Sequence, residues 1–207
     1  MVNKIYLMNV IKILVIIIFV ITSSSAYTKE PAGCAGHKTF VRAMKQQVDN
    51  ISIKKNKKNR EYVYETLQGV IRDNVNLKGI SRFVIGKHWS LAKQKEKEDF
   101  LREYEVYLTR LCTQILYKYM NDSEMTIMSA RASDDQTCLV STRFSYGDEE
   151  FTNIDFKVAE NDNLFLISDV VMSGVSISIN QRSQFSEKID TYGIADVIEE
   201  LKCNNDL

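Results

Sequence analysis

Apolar positions recur with a helical period in the first half of the chain and with a period of two in the second half. Spacings of three and four residues cover residues 37–53, 61–74 and 80–86, and Gly86 is a natural end for the third helix. The strongest helix is predicted over residues 94–119, where an apolar stripe lies opposite most of the charged side chains. Four helices are therefore expected before residue 120.

Four strands are predicted from the alternation that follows, over residues 124–132, 137–146, 151–159 and 164–172. Short connections rich in Asp, Asn and Gly separate these segments and indicate an antiparallel meander. In the third strand apolar residues alternate with Asn, Asp and Lys, so one face of the sheet is expected to be covered and the other to face water.

Two further helices are predicted after Gly174, one through Phe185 and Ile189 and one over residues 194–201. Helices, a four-stranded sheet and helices again define an α+β fold with the helices packed on one face of the sheet. The length after residue 26 suits one folded unit. Residues 27–207 are therefore interpreted as a single domain.

The first 26 residues have the pattern of a cleavable secretory signal. Lys4 and Lys12 precede a continuous apolar run at residues 13–21, and residues 22–26 are small. This order predicts cleavage before Tyr27 and export from the cytoplasm.

Two other interpretations of this end of the chain stay open. A permanent anchor helix requires about 20 apolar residues, and the uninterrupted run is shorter. Lipoprotein processing at Cys34 would require the preceding Pro31-Ala32-Gly33 to act as a lipobox, although Lys29 and Glu30 separate it from the apolar run.

The net charge of the chain excludes one class of function. Removal of residues 1–26 takes away two lysines and no acid, which leaves a net charge of −2. A chain this neutral is no candidate for non-specific nucleic-acid binding.

In an oxidising compartment its four cysteines permit three pairings into two disulfides, or they remain thiols. The cysteines are Cys34, Cys112, Cys138 and Cys203, and Cys112 falls on an apolar helix face that suits a buried thiol.

Motifs for chemistry are scarce. The chain has no phosphate-binding loop, no dinucleotide fingerprint and no serine-hydrolase elbow. Cys34 and His37 have the spacing of half a zinc site, but no second half follows, so a flexible segment is the simpler interpretation. Asp169 lies inside an apolar strand, where a hydrogen-bonded structural carboxylate is favoured over a catalytic one. His88 beside Trp89 is interpreted as a helix-end or packing residue.

Several segments together resemble one family. They are residues 83–89 (FVIGKHW), 100–104 (FLREY), 168–176 (SDVVMSGVS) and 180–185 (NQRSQF). In this order they are similar to the MlaC family of periplasmic phospholipid-binding proteins, also called toluene-tolerance proteins, and the resemblance covers about residues 60–202. The chain departs from the family pattern at His88 (usually Tyr), at Lys93-Gln94 (usually Thr-Pro) and at Phe165 (often Trp). The cysteines are not a family feature.

The resemblance implies a soluble periplasmic carrier that holds a phospholipid between its helices and its sheet. It implies exchange of this cargo with an inner-membrane ABC transporter that carries MCE-domain subunits and with an outer-membrane lipoprotein–porin complex. It implies no catalysis, no metal and no cofactor. An exported interaction or assembly module with a filled core is the alternative, and an exported enzyme that uses Asp169 or His88 is a further one.

The apolar residues of the helices and of one sheet face are the expected lining of the lipid cavity. On the helical wall these are Ile80, Phe83, Tyr104, Leu108 and Leu111, and on the sheet they are Phe144, Ile154, Phe156, Val158, Phe165, Ile167 and Val171. A register change of one residue would turn a strand's whole set to the other face. Arg182 and Gln184 are expected either near the mouth of the cavity or in a structural role.

Overall fold

Helices form both ends of the described chain and a sheet forms its middle. The computed structural model describes residues 33–55, 59–121, 123–146, 150–162 and 164–205, and the predicted signal at residues 1–26 lies outside them. The helices are α1 (Ala35–Lys55), α2 (Arg60–Asn74), α3 (Leu77–Ile85), a 3-10 helix (Gly86–Ser90), α4 (Gln94–Tyr119), α5 (Ile177–Tyr192) and α6 (Ile194–Asn205). The strands are β1 (Glu124–Asp134), β2 (Thr137–Tyr146), β3 (Glu150–Asn161), β4 (Leu164–Met172) and β5 (Val175–Ser176).

The sheet is antiparallel throughout and its strands lie in chain order, β1-β2-β3-β4-β5. The α+β fold and the meander predicted from the sequence are confirmed, but the prediction of four strands is wrong by one. The fifth strand has two residues, which pair with Val171 and Met172 at the end of β4. A two-residue strand is too short to produce a periodic pattern, so the alternation gave no sign of it.

Side-chain oxygen atoms accept hydrogen bonds from backbone N–H groups at the starts of α2, α3 and α4. Asn59 accepts a hydrogen bond from the backbone N–H of Tyr62 at the start of α2, and Asn76 accepts one from Gly79 at the start of α3. The α4 helix begins without a Ser, Thr, Asp or Asn at its first cap, and the Glu96 carboxylate accepts from the Lys93 N–H at 2.7 Å instead. This cap explains why α4 starts at the predicted residue although Thr-Pro is missing.

A β-bulge at Ser168 changes the alternation of β4. Phe165 and Ile167 lie on the helix-covered face, here called the inner face, and without a bulge Asp169 and Val171 would follow them there. Between Ile167 and Asp169 the register shifts by one residue, so Asp169 pairs with Lys157 on the outer face. The bulge thereby keeps a carboxylate out of an apolar surface.

The same bulge moves the last residues of β4. Val171 pairs with Asp155 and lies on the outer face, whereas Val170 pairs with Phe156 and Met172 pairs with Ile154 on the inner face. The expected position of Val171 on the inner face is therefore wrong, because the sequence pattern contains no direct mark of a bulge.

The Asp169 carboxylate joins the edge of the sheet to the first turn of α5. One of its oxygens accepts hydrogen bonds from the backbone N–H groups of Val170 (2.8 Å) and Ser178 (3.0 Å), and the other accepts from the Ser176 hydroxyl at 2.6 Å. Ser176 in turn caps α5 by accepting from the Ile179 N–H. Asp169 is thus a hydrogen-bonded structural carboxylate, as preferred from the sequence.

Three clusters of buried side chains are formed by the described residues. The third joins α1, α2 and α4 around Ile51, Val63 and Leu67, and the other two lie on the two sides of Val75. The first fills the space between α1 and the inner face, and the second fills the space among α3, α4, α5 and α6. Val75 packs against both clusters, and it forms an isolated bridge to Ile167 of β4. The helical layer therefore has a core of its own that requires no contact between α4 and the sheet.

A disulfide between Cys34 and Cys138 fastens the start of α1 to β2. Both residues are buried in the cluster under α1. The first turn of α1 also lies very close to β4, because a Cβ on Gly36 would be 2.7 Å from the ring of Phe165. The remaining cysteines are thiols, with Cys203 exposed and Cys112 half-buried against the helical cluster, where burial raises the pKa of its thiol to about 11.

Removal of this disulfide should destabilise the protein strongly. The bond closes a loop with a sequence separation of 104, and loops of this length are associated with losses of roughly 2–5 kcal/mol in the free energy of unfolding when the bond is removed. Urea unfolding of the double variant Cys34→Ser/Cys138→Ser measures the loss. Cys203→Ser is the control and should change the value by less than about 0.5 kcal/mol. An unchanged unfolding free energy of the wild type under reducing conditions would contradict the prediction.

Loss of the Asp169 carboxylate should also destabilise the fold. Asp169→Ala removes the acceptor of three donors, which is expected to lower the free energy of unfolding by about 2–3 kcal/mol. Asp155→Ala is a matched control, because this carboxylate lies on the same outer face of the neighbouring strand. Urea unfolding compares the two, and equal losses would show that Asp169 has no special role.

Candidate functional site

The inner face of the sheet is sealed at one end and open at the other. Under α1, the residues Ala130, Cys138, Val140, Val158 and Ile167 are buried. Towards the opposite end, the inner-face residues Phe144 and Ile154 are only half-buried and Met172 is 45% exposed. An apolar sheet face that is half-buried over several neighbouring strands leaves room for another apolar group.

Helix α4 presents a second apolar surface at this open end. The ring of Tyr119 lies 6.0 Å from the ring of Tyr146, which follows Phe144 on the inner face of β2. Ile115 lies one turn earlier on the same side of α4 and is 51% exposed, and Leu111 lies one turn before that and is half-buried.

These two surfaces define the candidate site, which is called the sheet cleft below. Its sheet side consists of Phe144, Ile154 and Met172, with Phe156 and Val170 at the boundary where they also pack against the cluster under α1. Its helix side consists of Leu111, Ile115 and Tyr119. Helix α4 packs mainly against α2, α3 and α6, so the cleft is not filled by helix–sheet packing. The arrangement can accept an apolar molecule between a helix and a sheet.

The structure brings some of the sequence-predicted lining residues together and separates others. Leu111, Phe144, Ile154 and Phe156 border the sheet cleft. Val158, Phe165 and Ile167 share the inner face but lie in the sealed end under α1, and Ile80, Tyr104 and Leu108 are buried among the helices. Val171 lies on the outer face, for the reason given above.

Phe83 belongs to a different surface, an open groove between α3 and α5. This groove encloses about 730 Å³ and is lined by Phe83, Ile179, Arg182, Ser183, Ser186, Glu187, Asp190 and Thr191. The Arg182 guanidinium lies 4.8 Å from the centre of the Phe83 ring. Gly86, with a φ of 56°, leaves the space for this guanidinium, because a Cβ there would be 2.8 Å from its Nε. Arg182 and Gln184 therefore lie on the α5 side of the helical layer.

The surroundings of His88 do not form a hydrolytic triad. Its Nε2 lies 3.2 Å from the Ser186 hydroxyl and 3.7 Å from a carboxylate oxygen of Asp190. Serine hydrolases place the serine and the acid on opposite nitrogens of the imidazole, whereas both groups meet the same nitrogen here. The Lys87 ammonium donates a hydrogen bond to Asp190 at 2.6 Å and lowers the pKa of that carboxyl. The cluster is consistent with a polar link between the 3-10 helix and α5.

Cys34 and His37, whose spacing resembles half a zinc site, are both held by other interactions. The flexible segment expected there is wrong, because α1 begins at Ala35 and both side chains are buried. The Cys34 sulfur is bonded to Cys138, and the same bond uses the sulfur that lipidation of Cys34 would require. The ring of His37 packs edge-on against Phe165, with 4.9 Å between centroids. In the described part of the chain, no group of three or more His, Cys, Asp or Glu side chains could hold a metal ion.

Sequence reasoning missed several residues of the sheet cleft. Val170 and Met172 were not among the predicted lining residues, because only the bulge brings them to the inner face. The one signal in the sequence was Asp169, an acid at a position of β4 that strict alternation would turn inwards. Ile115 falls on the apolar stripe predicted for α4, but this part of the helix buries Thr109 and Thr113 instead and leaves Ile115 exposed. This change of buried face along one helix is visible only in the packing.

No helix within the described ranges has the length and apolarity needed to cross a membrane. The predicted signal lies outside these ranges and is not tested by this finding.

A solved structure has the same fold as this chain. It is a phospholipid-binding protein from Ralstonia solanacearum in complex with a phospholipid, 19% identical, with a TM-score of 0.65 over 84% of this chain and 97% of that chain. No protein with a curated description matches the chain. The family model described as MlaC protein matches residues 41–203, well over half of the sequence, and the chain therefore belongs to the MlaC family.

Proposed function

We propose that this protein is a phospholipid carrier and that its sheet cleft holds the acyl chains. The observation that carries the proposal is the open half of an apolar sheet face, opposite an apolar face of α4 with the exposed Ile115. Membership of the MlaC family and the phospholipid in the Ralstonia protein of the same fold support it.

The energetics of lipid transfer account for such a cleft. Two acyl chains contain about 30 methylene groups, and each is worth about 0.8 kcal/mol when hidden from water, so a carrier must match roughly 20–25 kcal/mol. A cleft with two apolar walls hides the chains while the head group stays in water. Escape of the lipid through water is then very slow, and delivery requires docking against a partner that continues the apolar path.

The carrier is proposed to work in the periplasm after cleavage of the segment at residues 1–26. Its proposed partners are an inner-membrane ABC transporter with MCE-domain subunits and an outer-membrane lipoprotein–porin complex, between which it carries lipid to maintain asymmetry. The lipid is cargo, so no covalent step, cofactor or metal is needed. Asp169 and His88 are assigned structural roles in this proposal because their hydrogen bonds join elements of the fold.

The proposal is tested by the lipid that the protein carries when it is purified from the periplasm. Native mass spectrometry should find a diacyl phospholipid bound to the wild type. Ile154→Arg places a cation in the sheet cleft and should lower lipid occupancy by about tenfold or more, because a charge buried against acyl chains is strongly unfavourable. Asn153→Arg is the matched control, since the adjacent residue points to the opposite, exposed face.

A second variant separates lipid loss from misfolding. Ile115→Arg changes the helix side of the cleft at a residue that is already half-exposed, so the fold should be kept while lipid is lost. Wild-type protein without lipid, or equal occupancy in Ile154→Arg and Asn153→Arg with both folded, would rule out the carrier function and favour the interaction module with a filled core.

A further inference from the structure

A second functional surface surrounds the turn between the 3-10 helix and α4. Leu91 lies in this turn and is 80% exposed, which is the largest exposure among the large apolar residues of the described ranges. The exposed Lys87 precedes it, and the exposed Lys93 and Lys95 follow it. An apolar side chain is thus exposed to water between lysines, although the residues just before it are packed against the fold.

Trp89 anchors this turn and holds two more cations beside it. The indole packs against the helical cluster. The Arg82 guanidinium lies 4.9 Å from the ring centre and the Lys97 ammonium 5.4 Å from it. Arg82 belongs to α3 and Lys97 to α4, so cations from two helices contact the same indole beside the protruding turn.

The segment is strongly basic in a chain that is neutral overall. Residues 77–97 contain one acid, Glu96, whose carboxylate is used by the α4 cap. The basic residues are Lys78, Arg82, Lys87, Lys93, Lys95 and Lys97, and this surface together with Trp89 and Leu91 is called the basic turn. Among the ion pairs between described residues, only the pair of Lys87 with Asp190 involves this set. Lys78 also has Glu105 nearby.

We infer that the basic turn docks onto the surface of an anionic phospholipid membrane. Lysines near an anionic bilayer are attracted to its head groups, with a contribution of roughly fivefold in binding per residue. An exposed leucine and a tryptophan beside them have the amphipathic character of side chains that enter the interfacial region. The inference goes beyond the carrier function, since it concerns a surface outside the sheet cleft.

The membrane is a better fit than an acidic protein partner. A protein interface seats its apolar anchor in a shaped pocket and fixes it with directional pairs such as arginine–carboxylate forks. The basic turn has flexible, strongly hydrated lysines around a single protruding leucine, which suits a diffuse layer of negative charge above an apolar interior.

Vesicle cosedimentation of the protein as purified from cells tests the inference. Vesicles with about one third phosphatidylglycerol in phosphatidylethanolamine should retain the protein, phosphatidylcholine vesicles should not, and salt at about 0.5 M should release it. Lys93→Gln/Lys95→Gln should weaken retention by roughly 25-fold, which is about fivefold for each lysine. Leu91→Ser should weaken it as well, because the leucine no longer inserts.

Matched controls remove the same groups elsewhere. Arg131→Gln/Lys157→Gln deletes two cations from the outer face of the sheet, and Leu164→Ser deletes another exposed leucine. Both should bind like the wild type. Equal loss in the control and test variants, or no wild-type retention on anionic vesicles, would overturn the inference. Retention by an acidic protein without retention by vesicles would also overturn it.

The carrier function is measured separately in the same samples. Lipid occupancy by native mass spectrometry should be unchanged in Leu91→Ser and in Lys93→Gln/Lys95→Gln, because these residues lie outside the cleft. An empty wild-type cleft with intact vesicle binding would remove the carrier proposal and leave the docking surface in place.

Discussion

Partial coverage of one apolar sheet face is the constraint on which the architecture depends. Helix α1 lies across β1, β2 and β3 and buries the end of the face that contains Val140, Val158 and Ile167. The disulfide and the close contact of Gly36 with Phe165 hold the helix at that end. The remaining end, around Phe144 and Ile154, then has no helix packed tightly on it. A folded protein ordinarily closes such a surface, and leaving it half-buried in a stable domain requires that stability come from elsewhere.

The helical layer supplies that stability without the sheet. Phe100, Tyr104 and Phe185 pack their rings against one another, and residues of α3 and α6 complete the cluster. Since this core is formed among helices, α4 keeps its position whether or not anything fills the space beside it. The junction at Asp169 fixes how α5 leaves the sheet, and Val75 joins the two cores at β4. The cleft is therefore a gap between the helical core and the sheet, which are joined at β4 through Val75 and on another side through α1, whose Ile51 packs against α2 and the end of α4.

Much of this could be predicted from local pattern, and the exceptions have physical causes. The bounds of α4 and the order of the strands follow from apolar spacing, because periodic burial governs both. The bulge at Ser168 could not be predicted in this way, since it breaks the alternation that defines a strand. This bulge is the reason that Val171 was expected on the inner face and Met172 was not. Ile80 and Tyr104 were expected to line a cavity, but they pack against other helices. Apolar spacing identifies the buried face of a helix and does not identify the element that packs against it. The pairing of Cys34 with Cys138 depends on tertiary contacts, so three pairings were equally allowed.

The position of Cys34 also has a consequence for how the chain must be assembled. The family match begins at residue 41, so the disulfide ties a segment in front of the shared domain to the second strand of its sheet. Synthesis proceeds from the N-terminus, and Cys34 must wait until its partner, 104 positions later, has been made. Cys112 is synthesised before Cys138 and is the first thiol that Cys34 meets. In the folded protein the helical cluster buries Cys112 and raises the pKa of its thiol, so Cys112 is a poor competitor for Cys34 once α5 and α6 have packed against α4. The last two helices to be synthesised therefore protect the disulfide near the start of the domain, because they bury the thiol that could exchange with it.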